Sequence, residues 1–366
     1  MKIVIDNKIP FIKGAFEKVA EVIYLPGGSI TADDVRDADA LIVRTRTHCN
    51  KDLLEGSKVK FIATATIGFD HIDKNYCEAK GIQWTNAPGC NARSVAQYLN
   101  SALACLSNKY NFQLKDKTLG VVGVGHVGRL VVEMASALGM KVLQNDPPRQ
   151  LKEGSKEFVS LEQICREADI ITFHVPLYRE GEDKTYHFVD SEFISKLKKQ
   201  PFLINAARGE VFDTSAVKRA LKSGAVLGVV VDCWEIEPNI DLELLAKAEI
   251  ATPHIAGYSA DGKANATRMS VQSVSRFFNL GLDNWTVTDI QKPANTIIDG
   301  SKTTDKEAIL QSYDILADDA RLRQSTATFE KQRGDYPLRR EYGVYEVKNS
   351  QSEVLRQLGF EIKQDY

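Results

Sequence analysis

The sequence predicts an α/β protein built on parallel, doubly wound sheets, and two series of segments carry that expectation. In the first, the apolar runs KIVID (2–6), ALIVR (40–44) and KFIATAT (60–66) alternate with helix-like stretches such as PFIKGAFEKVA (10–20), the order that makes parallel β/α units. In the second, KTLGVV (117–122), KVLQN (141–145), DIITFHV (169–175), PFLINAA (201–207) and AVLGVVVDC (225–233) repeat the scheme. Between the series, SVAQYLNSALACLSNKY (94–110) has helical spacing and no breaker, and reads as a long connecting helix.

After ATPHIAGYS (251–259), the stretch ANATRMSVQSVSRFFNLG (264–281) reads as another helix. Past about residue 285 the chain turns polar, in QKPANTIIDGSKTTDKE (291–307), and then mixes AILQSYDILADDARLRQ (308–324) with a strand-like YGVYEVK (342–348). The expected division is residues 1–93 with 255–285, residues 94–254, and a small α+β module of residues 286–366. A chain of 366 residues is too long for one ordinary core.

Bulk properties exclude several classes of function. With 43% apolar and 26% charged residues and a formal net charge of -2, the chain is expected to be soluble, with no nucleic-acid footprint and no membrane-surface face. Its apolar runs fall far short of a bilayer span, and MKIVIDNKIP lacks the long apolar core of a signal peptide. The six cysteines form no C-x-x-C pair, which fits thiols in a reducing cytoplasm. No H-E-x-x-H or similar spacing occurs, so no metal is expected.

The chemistry begins at Gly123-Val124-Gly125-His126-Val127-Gly128, a G-x-G-x-x-G directly after an apolar strand and opening an amphipathic helix. The first glycine permits a tight turn, the second lets backbone approach a pyrophosphate, and the third allows close helix–strand packing. The next strand ends at Asp146, eighteen residues after Gly128, where a carboxylate accepts from a ribose diol and repels a 2′-phosphate. The segment is therefore expected to be a Rossmann-like domain binding NAD rather than NADP, although Arg149 nearby is an arginine that could tolerate a phosphate.

Three later strand ends supply polar groups. LINAARGEVFD (203–213) brings Arg208 to a strand's carboxyl end, where open α/β sheets bind ligands; VVVDCWEIEP (229–238) places Asp232, Glu235 and Glu237; TPHIAGYS (252–259) places His254. A histidine titrates near working pH and suits acid/base work, a carboxylate beside it orients the ring, and an arginine fork matches a carboxylate. His174 is expected to line the cofactor pocket or to pack, His126 to be tolerated in the glycine loop, and His71 to belong to a structural loop.

With G-x-G-x-x-G, FHVPL, NAARGE, D-x-x-x-x-E-P and PHIAGYS in this order, residues 40 to 285 resemble the D-isomer-specific 2-hydroxyacid dehydrogenase family. The resemblance implies two Rossmann-like domains, one for substrate and one for NAD. It further implies that Arg208 holds a substrate carboxylate, that His254 is the acid/base and that Glu237 pairs with it. Cofactor contacts are implied at Gly123, Gly125, His126, Val127, Gly128, Asp146, His174, Val175, Pro176, Ala206, Ala207, Arg208, Asp232 and Gly257.

The segment Val43-Arg44-Thr45-Arg46-Thr47 bears on the substrate. In the resemblance it faces the substrate, as does ATATIGFDHID (63–73), and Arg44, Arg46, Thr45 and Thr66 suit a phosphate, which takes several donors and strong positive charge. A solvated strand end is the bland alternative. TATIGFDHID, Tyr258 and the stretches YDILADDARLRQ and FEKQRGDYPLRREYGVYEV favour the branch of the family that oxidises 4-phospho-D-erythronate in vitamin B6 synthesis over the one that oxidises 3-phospho-D-glycerate. Thr45 departs from the serine of that branch but keeps the hydroxyl. The same resemblance implies a homodimer held by the C-terminal module. A protein of another class, an NAD-sensing corepressor without catalysis, is disfavoured by the phosphate-suited residues and by the absence of basic tails.

Overall fold

The computed structural model describes residues 1–154 and 156–364. They form two compact units, Met1–Asn91 with Ser259–Gln291, and Ala92–Tyr258 with the residues from Lys292 onward.

In the first unit β1 (Lys2–Asp6), β2 (Glu21–Leu25), β3 (Ala40–Val43), β4 (Phe61–Thr64) and β5 (Gln83–Thr85) make one parallel sheet in the order β2-β1-β3-β4-β5. The continuous apolar runs of β3 and β4 are buried along their whole length, as parallel strands covered on both faces must be. The helix Ala260–Phe278 covers one face, with Val271 and Val274 among Ile3, Ile5, Phe16 and Ile42. Ser259 caps that helix by accepting the Gly262 N–H at 2.8 Å. Chain direction across the sheet reverses between β1 and β3, so the switch point lies where Asp6 and Val43 end their strands.

PFIKGAFEKVA, expected as a helix, is instead a series of turns. Phe11 and Gly14 take positive φ (62° and 85°), and the Glu17 carboxylate accepts the N–H groups of Gly14 and Phe16 at 2.9 and 3.0 Å. Its helical-looking apolar spacing still buries Ile12 and Phe16. The edge strand β2, EVIYL, follows at once and was not among the expected strands.

In the second unit β6 (Thr118–Val122), β7 (Lys141–Asn145), β8 (Ile170–Phe173), β9 (Phe202–Asn205), β10 (Gly228–Val231) and β11 (Ile250–Ala251) form a parallel sheet in the order β11-β10-β9-β8-β6-β7. A parallel bridge from Gln144 to Phe158 continues it beyond β7. The glycine loop follows β6, at the point where the winding reverses.

The segment from Lys292 packs into this second unit rather than standing apart. Its sheet, β12 (Ile297–Asp299), β13 (Glu346–Lys348) and β14 (Glu361–Lys363), is parallel in that order. Ile298, Ile309, Val347, Leu355 and Phe360 share one core with Leu99, Leu103 and Leu106 of the helix Ala92–Lys109, which explains why that helix is buried on nearly every side. Within YGVYEVK only Glu346–Lys348 is strand; Tyr342–Val344 forms a turn of 3-10 helix. Among the described residues no helix is long and apolar enough to cross a membrane.

Candidate active site

β6 runs into Gly123 at φ 85°, where an added Cβ would lie 2.8 Å from the carbonyl carbon of His174. A Cβ on Gly128 would lie 2.1 Å from the Gly123 oxygen, so that position packs helix against turn. Gly125 differs: a Cβ there would meet nothing within 4 Å. Its backbone faces open space, as a close approach to pyrophosphate requires. The helix His126–Ala137 starts from Gly125 with no side-chain cap, so its first-turn amides and the positive end of its dipole are available to an anion.

Asp146 follows β7 and does two local jobs. Oδ2 accepts the Val124 N–H at 2.8 Å, and Oδ1 accepts the Arg149 N–H at 3.1 Å at the start of the helix Pro147–Glu153. Arg149 is committed elsewhere, pairing with Glu153 at 2.6 Å and donating to the Val124 carbonyl, so the cation that could have accommodated a 2′-phosphate is occupied. His174 follows β8, its Nε2 3.0 Å from Thr172 Oγ1, while its Nδ1 is buried with no hydrogen-bond partner. Burial pushes its pKa down to about 3, so the ring is neutral. The orphaned Nδ1 of His174 (whose carbonyl packs against Gly123), an open Gly125 and an uncapped helix start together fit a dinucleotide. Val175 packs beside Gly123, and the Pro176 carbonyl accepts the Thr185 hydroxyl.

The polar groups of β9, β10 and β11 meet at one sheet edge. Asn205 turns the chain after β9, donating to the Arg208 carbonyl at 2.9 Å and accepting the Ala207 N–H at 3.1 Å. Gly209 is obligatory, since a Cβ would lie 1.8 Å from the Trp234 carbonyl oxygen. That close approach brings the Ala206-Ala207-Arg208 turn against the loop carrying Glu237. The Glu237 carboxylate accepts the Trp234 N–H at 2.8 Å and the His254 Nδ1–H at 2.8 and 3.1 Å. Burial alone would raise the Glu237 carboxyl, but the hydrogen bond and charge of His254, the Trp234 amide and the charge of Arg333 hold it below the ordinary carboxylate value. With Nδ1–H held by a carboxylate, Nε2 is the ring atom left to take a proton from a ligand. Glu235, the other acid of this loop, is engaged by His187 Nε2 at 2.5 Å and by the Thr214 N–H at 3.1 Å. The structure thus separates two glutamates that sequence spacing alone does not.

His254 sits at φ 55°, a costly conformation for a non-glycine residue. Asp232 holds it there. The carboxylate of Asp232 is buried and accepts the Ile255 and Ala256 N–H groups at 2.8 and 3.0 Å and the Thr252 hydroxyl at 2.7 Å, while its carbonyl accepts the His254 N–H at 2.8 Å. Asp232 is therefore fully used in shaping the loop that leads to Gly257 and Tyr258. The C-terminal segment reinforces the loop through Arg339, whose Nη1 donates to the Ala256 carbonyl at 3.2 Å and whose Nε donates to Gln97 Oε1 at 3.0 Å. Its guanidinium carbon lies 3.8 Å from the Tyr313 ring centroid. No local pattern marks Arg339 or Arg333 in the sequence, because both act on residues about 80 or more positions away. Among the described residues one group could hold an ion, Cys233, Glu237 and His254, but two of its ligand atoms already bond each other and burial pushes the Cys233 thiol well up.

In the first unit β3 ends at Val43, and Arg44 to Thr47 form a turn rather than continuing the strand. Arg44 Nη1 donates to the Lys8 carbonyl at 3.1 Å, bridging the switch point. Thr45 and Arg46 are exposed, whereas Thr47 is buried and donates to the Gly27 carbonyl at 2.9 Å. Thr66 donates to the Gly68 carbonyl at 2.8 Å and lies 2.7 Å from the Thr64 hydroxyl, which in turn meets His71 Nε2 at 2.9 Å.

This arrangement has counterparts. Residues 94–256 match the NAD-binding domain of D-isomer-specific 2-hydroxyacid dehydrogenases, and residues 290–359 match a domain of unknown function. The chain is 54% identical to erythronate-4-phosphate dehydrogenase of Bacteroides thetaiotaomicron, the match covering 95% of this chain and 99% of that one. The chain belongs to the erythronate-4-phosphate dehydrogenase family. A member from Porphyromonas gingivalis is 46% identical over 98% of this chain and 100% of its own. Among solved structures, NAD-bound 3-phosphoglycerate dehydrogenase of Entamoeba histolytica matches at TM-score 0.64 and 28% identity, covering 80% of this chain and 99% of that one. D-lactate dehydrogenase of Aquifex aeolicus, complexed with NAD and lactic acid, matches at TM-score 0.62 and 29% identity, covering 80% and 100%. The expected fold class and NAD are thereby borne out, and the second unit is the NAD-binding one.

Proposed function

We propose that the chain oxidises 4-phospho-D-erythronate at C2 with NAD, giving (R)-3-hydroxy-2-oxo-4-phosphooxybutanoate, a reaction of pyridoxine biosynthesis. The observation that carries the chemistry is the His254 Nδ1–Glu237 bond of 2.8 Å, which fixes the ring and directs Nε2 outward as a base. Bound NAD supplies a hydride acceptor. The chain's own residues supply the rest: Arg208 binds the substrate carboxylate, Nε2 of His254 takes the hydroxyl proton, and Glu237 stabilises the resulting imidazolium. The C2–H bond yields its electron pair as hydride while the O–H bond yields its proton, so the carbonyl forms with both accounted for. Asp146, His174 and the glycine loop are assigned to the cofactor. Thr45, Thr66, Arg44, Arg46 and Tyr258 are assigned to the substrate.

The names of the near-full-length relatives support the choice of acid. NADH absorbance tests it, with 4-phosphoerythronate and 3-phosphoglycerate at matched concentrations. Higher kcat/KM on the former is expected. Preference for the latter would move the chain to the other phosphorylated acid, and no NADH from either would favour a binding protein. The protein is further proposed to act in the cytoplasm as a homodimer through its C-terminal segment, which light scattering at micromolar concentration checks.

A further inference from the structure

Arg333 lies in the short helix Phe329–Gly334 of the C-terminal segment, nearly one hundred residues along the chain from Glu237. The helix is anchored on one side by Phe329, 1% exposed in the core with Val231 and Trp234. On another side Gln332 donates to the Arg321 and Ser325 carbonyls at 3.1 and 2.9 Å. So held, Arg333 brings its guanidinium carbon within 5.8 Å of the Tyr258 ring centroid, and its positive charge acts on both Glu237 and Cys233. The residue that follows the catalytic loop and the carboxylate that orients the catalytic histidine thus share one cationic neighbour.

The donors of Arg333 are only partly used. Nη1 donates to Glu330 Oε1 at 2.7 Å, while Nε is buried and has no hydrogen-bond partner. A charged donor shielded from water without an acceptor is unfavourable, and the natural remedy is an anion that arrives with the ligand. Glu237 does not serve, since its two oxygens already accept from His254 and Trp234. We propose that Arg333 is a substrate-binding residue, supplied by the C-terminal segment, and that its guanidinium takes the substrate's phosphate. The inference rests on the reading of the substrate as a phosphorylated 2-hydroxy acid. Because Arg208 is given to the carboxylate, the phosphate is the anion that remains, and a planar fork with two adjacent donors suits it.

The test compares wild type with R333Q, NAD present throughout, by two readouts. In kinetics, R333Q is expected to raise KM for 4-phosphoerythronate about tenfold to a hundredfold, the scale of a lost charge-assisted bond, with a much smaller change in kcat. The loss in kcat/KM should be at least about tenfold larger on the phosphorylated acid than on D-erythronate. In thermal denaturation, inorganic phosphate should raise the Tm of wild type and raise that of R333Q much less. Equal losses on both acids, an unchanged KM, or the same phosphate-induced rise in both proteins would overturn the proposal. Should wild type fail to oxidise the phosphorylated acid, the substrate reading falls, and the phosphate-dependent Tm alone decides the role of Arg333. If R333Q does not fold, R333M, which keeps the stem beside Tyr258, carries the same comparison.

Discussion

At the carboxyl edge of the second unit's sheet, the polar side chains are partnered both across strand ends and within their own loops: Asp232 with Thr252 and the 255–256 amides and Glu237 with His254 across strand ends, Glu237 with the Trp234 amide and Asn205 with the Arg208 carbonyl within a loop. At the same edge of the first unit the chain is tied mainly through backbone. Arg44 reaches the Lys8 carbonyl and Thr47 the Gly27 carbonyl, while Thr45 and Arg46 stand exposed between them. Two sheets of one topological class have thus been finished differently. Proton transfer needs a base held in one orientation and one tautomer, which a buried network supplies. Recognition of a phosphate needs donors whose exact angles matter less.

The largest effect expected from this contrast is at His254. His254→Ala should lower kcat by about a hundredfold to ten-thousandfold, the worth of a positioned general base, while NAD affinity measured by fluorescence titration stays close to wild type. A variant that keeps its turnover would break the comparison, because the preorganised network would then hold nothing that reacts. Next in size is Asp146→Ala. It removes the carboxylate proposed to accept from the ribose and the staple to the Val124 amide together, so KM for NAD should rise by about tenfold or more, on the scale of a bond to a charged group. The ratio of NAD to NADP efficiency should fall toward one. Unaltered discrimination would shift selectivity away from this acid.

How much of this was legible in the sequence follows the range of the interactions. Gly123 and Gly128 were legible because each answers a steric demand set by residues within a few positions or one strand away, and the structure shows those approaches as distances no side chain could tolerate. A Cβ on Gly125, by contrast, would meet no protein atom within 4 Å, and that glycine was legible only through its spacing from the other two. Arg208, Glu237 and His254 were legible because strand ends in a parallel sheet must converge on one edge. PFIKGAFEKVA misled because its apolar spacing suits a helix, whereas positive φ at Phe11 and Gly14 and the carboxylate of Glu17 fold it into turns. Arg333 and Arg339 were invisible since their partners are distant in sequence. So was the packing of the C-terminal segment onto the helix Ala92–Lys109, because Gln97, Asn100 and Ser101 make that helix look half-polar in sequence while their partners lie in that distant segment.

A smaller effect sharpens the first unit's side of the contrast. Thr45→Val keeps the shape of the exposed turn and removes one hydroxyl, so KM for the phosphorylated acid should rise by about threefold to tenfold, the range of a single hydrogen bond, with kcat nearly unchanged. Arg44→Ala should act in the same direction. Unchanged KM in both variants would return Val-Arg-Thr-Arg-Thr to scaffolding and leave the first unit's edge with no assigned ligand.

The last effect is one of stability alone, with no change in activity, and compares the two units through their buried histidines. His71 in the first unit is held neutral, with a pKa lowered to about 4 by burial; the charge of nearby Asp70 only partly offsets this. The unfolded chain takes up the corresponding proton near the ordinary value of about 6.5. Between those two values the unfolded state binds more protons than the folded one, so stability rises with pH through the window and is lost on acidification. The loss is about 1.4 kcal/mol for each pH unit below 6.5, levelling off once pH falls past the folded value. His174 in the second unit, at about 3, behaves in the same sense and levels off lower. His71→Gln retains a side-chain partner for the Thr64 hydroxyl but has no proton to gain. Urea midpoints measured from pH 7 to pH 4.5 should therefore fall less steeply in the variant than in wild type. Identical slopes would mean that His71 is protonated in the folded protein, and that the hydroxyl pair Thr64–Thr66 rests beside a cation rather than a neutral ring.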